Sequence, residues 1–268
     1  MVHSVIKQLE ELKKVNPLVH NITNLVVMNN TANALLALGA SPVMAHSPAE
    51  IKEVLAISQA LVINIGTLSE SWIQSMYHAA SHARQLGCPW VLDPVGAGIS
   101  VLRNETLKQL LDLQPTVIRG NASEIMALAD FNQGTAKGVD STAQSSSAIE
   151  AAVQLQLTYG SIICISGEVD YIVSPSEIVE IYNGSPMMTK VTGLGCTSSA
   201  LIGAFLGLRS NVLEEAIAGV ATLSLAGELA ANGAVGPGSL QMRLLDILYT
   251  LDASTLQQEL RIKRYARS

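Results

Sequence analysis

Cysteine is scarce: Cys88, Cys164 and Cys196 are the only three, too few and too scattered for a disulfide framework or a zinc site. A reduced, cytoplasmic setting is the expectation. Positive charge is also short, with 16 basic against 22 acidic residues, a net charge of -6 and a pI near 5.4. A nucleic-acid partner needs a basic stripe to neutralise phosphates. The one basic cluster, Arg261, Lys263, Arg264 and Arg267, reads instead as a solvated helix end. Long apolar runs are missing too. The two most apolar stretches, 197–208 and 216–227, are each 12 uncharged residues, against the ~20 that a membrane-spanning helix needs. Residues 1–12 carry Lys7, Glu10 and Glu11 and lack the compact apolar segment of a secretory signal. His46, His78 and His82 have no metal-ligand spacing. With aromatics at only 4%, the core must be built from Leu, Ile, Val and Ala, filled out by small residues.

Aliphatic surface is what the chain has in quantity. Of its 268 residues 49% are hydrophobic and 14% charged, which excludes intrinsic disorder. No fixed-period repeat or low-complexity linker is visible. The Gly/Ser/Thr-rich segment 132–147 reads as a surface loop leading into a helix and is too short to separate domains, so residues 1–268 are expected to form one domain. Short apolar runs alternate with helical patterns: strands at 61–65, 90–92, 116–118 and 162–165, helices at 72–86, 102–113, 122–129 and 148–157. Uniformly apolar strands separated by helices specify a mostly parallel sheet covered on both faces, a three-layer α/β/α architecture. Residues 170–173 and 178–182 read as an antiparallel hairpin appended to that sheet, and from Cys196 to about residue 251 the chain is almost entirely helical.

Open parallel sheets bind ligands beyond the carboxyl ends of their strands. Those positions here are Asn64-Ile65-Gly66-Thr67, Asp93-Pro94-Val95-Gly96-Ala97-Gly98, Arg119-Gly120-Asn121, Ser166-Gly167-Glu168 and Gly193-Leu194-Gly195-Cys196. The last suits a phosphate or an oxyanion: two glycines let the backbone approach closely, and the following helix offers free N–H groups and its positive dipole end. Cys196 there is expected to have a lowered pKa and to serve as base or nucleophile; alternatively it is a small packing residue. Asp93 can hold Mg²⁺ or cap the next helix. Asn121 and Glu124 have the spacing of a capping box, which alone accounts for both, whereas Arg119 at a strand end calls for an anionic partner. In His20-Asn21-Ile22-Thr23-Asn24 the polar residues open a helical stretch 25–38, with Thr23 or Asn24 as its cap and His20 as a satisfied interior histidine; Met44 is a core residue or a ligand contact.

Taken in order, these segments resemble the hydroxyethylthiazole kinase family of the ribokinase-like superfamily. The likeness runs from His20-Asn21-Ile22-Thr23-Asn24 through Pro42-Val43-Met44-Ala45, Asn64–Leu68, Asp93–Gly98, Ile118–Glu124 and Ser166–Asp170 to the helices after Cys196. It implies ATP-dependent phosphorylation of 4-methyl-5-(2-hydroxyethyl)thiazole in thiamin salvage, with Mg²⁺ as cofactor, in a homotrimer whose active sites lie at subunit interfaces. By position, it implies that Asn24, Met44 and Gly193 contact the thiazole, that Arg119, Ser166 and Gly195 bind ATP, that Asp93 and Glu124 organise the metal, and that Cys196 is the catalytic residue. Leu194 departs from the threonine common in the family's glycine loop; N–H donors survive that change, a hydroxyl does not. Ser166 stands where threonine is frequent and keeps its hydroxyl. The competing readings are a kinase of another small alcohol (hydroxymethylpyrimidine or pyridoxal type), a cysteine-nucleophile acyl transferase, and a non-catalytic nucleotide sensor.

Overall fold

A computed structural model gives the protein's structure and describes residues 1–131 and 141–267. The strands are β1 (Leu18–Ile22), β2 (Ser41–Val43), β3 (Ala60–Asn64), β4 (Trp90–Asp93), β5 (Val117–Asn121), β6 (Ile162–Ser166), β7 (Asp170–Val173), β8 (Glu177–Ile181) and β9 (Ile262–Ala266). The helices are α1 (Val2–Val15), α2 (Met28–Leu38), α3 (Ile51–Ile57), α4 (Glu70–Leu86), α5 (Val101–Leu111), α6 (Ala122–Asp130), α7 (Ser141–Tyr159), α8 (Leu194–Leu206), α9 (Val212–Ala231), α10 (Pro237–Thr250) and α11 (Ala253–Glu259). The strands form one sheet in the order β2-β1-β3-β4-β5-β6-β7-β8-β9, parallel from β2 to β6 and antiparallel from there on.

Strand alternation explains the layers. In β3, Leu61 and Ile63 pack with α3 to α7, while Val62 between them packs with α1, α2 and α8 to α10. Local chemistry sets the helix ends: Ser69 and Ser100 accept N–H bonds at the starts of α4 and α5, and α4 stops at Gly87 with φ +62°. The largest fully buried side chains include Trp90 and Phe205, each worth about 2–3 kcal/mol of burial. No helix among the described residues is long and apolar enough to cross a membrane.

Three sequence readings are corrected. His20 and Asn21 belong to a strand, not to a helix opening, and α2 starts at Met28 with no side-chain cap. Two wholly buried polar residues in β1 broke the apolar run that normally marks an interior strand. The C-terminal basic cluster is not a helix end: it spans β9, antiparallel to β8. There Arg264 pairs with Glu214 at 2.6 Å and Arg261 with Glu228 at 2.8 Å, so paired carboxylates neutralise both cations. Of the expected loop 132–147, residues 132–140 lie outside the described residues, and from Ser141 the chain is already α7. The long parallel core, the hairpin β7–β8 and the helical C-terminal region match the expectation.

Candidate active site

The carboxyl ends of β4 to β6 and the start of α8 surround a cavity of about 1020 Å³. Seven of the residues to which the resemblance gives a role line it: Asp93, Arg119, Glu124, Ser166, Gly193, Gly195 and Cys196. They come from segments far apart in the chain, and the parallel strands bring their ends to one rim.

Gly193 caps α8 with φ +82°, and a Cβ there would stand 2.4 Å from Val27 Cγ1, so both backbone conformation and space demand glycine. The first-turn amides of Leu194, Gly195 and Cys196 have no intrahelical acceptors, and no side chain among the described residues caps the helix. These amides form an anion-binding helix start. Arg119 lies against it: a Cβ on Gly195 would approach Arg119 Nη1 to 2.6 Å. The guanidinium forms no ion pair among the described residues.

Asp93 ends β4 and is 0% exposed. Its Oδ2 accepts from Asn64 Nδ2 at 2.6 Å and from Ser199 Oγ at 2.8 Å, while Oδ1 has no hydrogen-bond partner among the described residues. Burial pushes its carboxyl up to about 6, with the Arg119 charge pulling the other way. Asn24 lies next to this group. Its Nδ2 donates to Asn64 Oδ1 at 2.8 Å and reaches Cys196 Sγ at 3.5 Å. The capping box of α6 is present, and Glu124 does more than close it: Oε2 accepts from Asn121 N–H at 2.9 Å and Oε1 from Gly96 N–H at 3.0 Å, tying the β4–α5 loop to the start of α6. Ser166 Oγ stands 3.5 Å from Gly120 O. Asn24 and Met44 are not part of the cavity wall: Asn24 touches it through Cys196, whereas Met44 sits half-buried just beyond β2, where the carbonyl of its neighbour Ala45 accepts from His20 Nε2 at 2.7 Å.

Residues 9–254 match the model of the hydroxyethylthiazole kinase family. The chain belongs to that family. A hydroxyethylthiazole kinase of Syntrophus aciditrophicus (strain SB) is 54% identical over 247 residues, 92% of each chain. The structure of a hydroxyethylthiazole kinase protein from Pyrococcus horikoshii OT3 superposes with a TM-score of 0.91 at 37% identity, covering 97% of this chain and 98% of that one. A ribokinase-like superfamily protein from Enterococcus faecalis V583, at 16% identity, shares the fold with a TM-score of 0.62 over 92% of this chain and 95% of its own.

Within this hydroxyethylthiazole kinase family member, Leu194 occupies the glycine loop without disturbing it, because its side chain is 6% exposed and joins the core on the α9 side of the sheet. The expectation of an acidic Cys196 thiol is overturned. Burial, followed by the negative charge of Asp93, pushes it up to about 11, outweighing the Asn64 and Asn24 amides and the Arg119 charge. Cys88 and Cys164 are buried packing residues, as read from the sequence. Three residues that carry site geometry had no role assigned from sequence. Asn64 stood at a recognised strand end. Ser199, inside an apolar helix, gave no signal. Arg103, on α5, donates to the carbonyls of Ile65, Val95 and Gly66 at 2.5, 2.7 and 2.8 Å, joining the loops after β3 and β4.

Proposed function

We propose that this chain transfers the γ-phosphoryl group of ATP to the primary alcohol of 4-methyl-5-(2-hydroxyethyl)thiazole, giving the thiazole phosphate and ADP. The observation that carries the reading is one cavity holding the open amide start of α8 together with Arg119 and Asp93, the first without an ion pair and the second with one oxygen without a hydrogen bond among the described residues. Family membership supplies the acceptor. The alcohol oxygen bonds to the γ-phosphorus as the bond to the β–γ bridging oxygen breaks, and ADP leaves with that electron pair. Positioning and charge stabilisation dominate such transfers. The amides of residues 193–196 hold the transferring oxygens, Arg119 meets charge on the departing diphosphate, and Ser166 gives a hydroxyl to the ATP phosphates. Asn24 and Gly193 bound the alcohol side, with Met44 as a further thiazole contact.

Among the described residues no three His, Cys, Asp or Glu side chains cluster as a protein-only metal cage. Magnesium rarely needs one, since it takes one or two carboxylates together with phosphates and waters. Asp93 Oδ1, without a hydrogen-bond partner among the described residues, fits that mode, and Glu124 retains lone pairs beyond its two N–H bonds. Magnesium bound there would neutralise phosphate charge. Cys196 accepts the alcohol proton only as thiolate, a minor form at neutral pH for a thiol pushed up to about 11. In a loose transition state the alcohol loses its proton late, and a base then contributes about 10²-fold, the low end for proton transfer.

The reading takes residues 1–268 as one ribokinase-like domain working in the cytoplasm, which its three free thiols suit. It takes the assembly as a homotrimer with sites at the interfaces: Leu25 and Val26, directly after Asn24, are 62% and 65% exposed, and Met44 lies outside one chain's cavity. Light scattering reads the assembly. The activity is tested by coupled ADP release with the thiazole alcohol, hydroxymethylpyrimidine and pyridoxal side by side, with and without Mg²⁺. Metal-dependent turnover of the thiazole alcohol is expected; faster turnover of either other alcohol, or ATP binding with no ADP release, overturns the assignment.

A further inference from the structure

Asn64 is 1% exposed, and its side-chain amide reaches two different parts of the site. Its orientation is forced. Gly66 N–H donates to Oδ1 at 2.9 Å, which turns the NH₂ group toward Asp93 Oδ2 at 2.6 Å. Asn24 is fixed in the same way: Val26 N–H donates to its Oδ1 at 3.1 Å, so its Nδ2 faces Asn64 Oδ1 at 2.8 Å. Two backbone amides therefore set the polarity of a chain from Asn24 through Asn64 to Asp93.

The consequence falls on the Asp93 carboxylate. Rotation about the last bond of an aspartate is broad and roughly two-fold, so a lone carboxylate has little orientational preference. Here Asn64 and the wholly buried Ser199 both donate to Oδ2 and none of the described groups donates to Oδ1. We infer that Asn64 is a positioning residue that joins the two halves of the site, turning the free oxygen of Asp93 to the metal–phosphate half and the amide of Asn24 to the alcohol half, with Ser199 as a second anchor on the Asp93 side alone. The inference rests on the roles proposed above for Asp93 and Asn24. Outer groups that orient a metal-binding carboxylate are typically worth about 10–100-fold in metal affinity or activity.

The test is calorimetric titration of the full chain with ADP in Mg²⁺ and in EDTA, beside KM for each substrate and thermal melting. Ser199→Ala should weaken the Mg²⁺-dependent gain in ADP affinity about tenfold and leave KM for the thiazole alcohol unchanged. Asn64→Ala should show that loss and also raise the thiazole KM about tenfold. Binding in EDTA should stay at the wild-type value in both. A purely structural role would lower the melting temperature without separating metal, nucleotide and alcohol. Asp93→Asn is the reference. If it keeps the Mg²⁺-dependent gain, the metal reading of Asp93 fails and the inference with it. If Asp93→Asn loses the gain while folded Asn64→Ala keeps it and keeps its thiazole KM, the inference alone is overturned. Should Asn64→Ala not fold, Ser199→Ala decides, and a wild-type metal response in that variant overturns the anchoring of Asp93.

Discussion

The guanidinium of Arg119 lies over the first turn of α8 so closely that a Cβ on Gly195 would stand 2.6 Å from its Nη1. The two residues come from the end of β5 and the start of α8, and their contact puts a permanent cation beside open amides. Gly195→Ala should push the flexible end of Arg119 aside at little cost to folding. The expected outcome is a KM for ATP raised about tenfold, the equivalent of ~1.4 kcal/mol, with an unchanged melting temperature; steady-state kinetics and calorimetry check it.

Gly193→Ala should behave differently. Here φ is +82° and the obstacle is Val27 Cγ1 at 2.4 Å, so both strain and clash arise. A loss of about 1–2 kcal/mol from the left-handed backbone alone is expected, and urea unfolding should show it together with weaker binding of both substrates.

Cys196 has a thiol pushed up to about 11, which makes it a poor base at neutral pH. Cys196→Ala should leave measurable turnover, while Cys196→Asp should retain or raise it. Complete inactivity of both folded variants would show that the thiol is obligatory.

Arg103→Met should destabilise without touching the cavity's charged groups. Three carbonyls, of Ile65, Val95 and Gly66, lose their donor, at about 1–3 kcal/mol for buried groups left unsatisfied. Equilibrium unfolding measures the loss. A variant as stable as the wild type would show that these loops need no staple.

Burial holds the His20 imidazole below its ordinary value of 6.5, although the Ala45 carbonyl and Glu50 pull it upward. As pH falls below 6.5 the unfolded chain therefore takes up this proton before the native state does, and stability declines until the native pKa is reached. Above 6.5 the contribution is complete. The fall in unfolding free energy between pH 7.5 and 5.5, conditions chosen to bracket that titration, should be smaller in His20→Gln than in the wild type. Equal slopes would remove His20 from the acid response.

Much of the framework was legible because its strands are uniformly apolar. The starts of β3, β4 and β6 are interior strand segments of a sheet covered on both faces, and only their ends, at Asn64, Asp93 and Ser166, turn polar. β1 escaped because His20 and Asn21 are buried through hydrogen bonds, to Ala45 O and Val19 O, that a linear pattern does not display. β9 escaped for the opposite reason. Its cations look solvated until Glu177 and Glu214 are brought to Arg264. In the site, charge at strand ends near glycine marked Asp93 and Arg119, and a glycine loop before a helix marked Cys196, whereas Ser199 is one small residue in an apolar helix and acquires meaning only from Asp93 Oδ2 at 2.8 Å.

The sequence by itself determined the alternation of strand and helix, the sheet's parallel character and which strand ends surround the cavity, because hydrophobic period and glycine chemistry are local properties. Only the tertiary structure decided that Asp93 is left with one free oxygen, that the Cys196 thiol is neutral, and that Arg119 rests on Gly195. Those outcomes depend on burial and on partners far along the chain, and both come into being only when the sheet closes under α8.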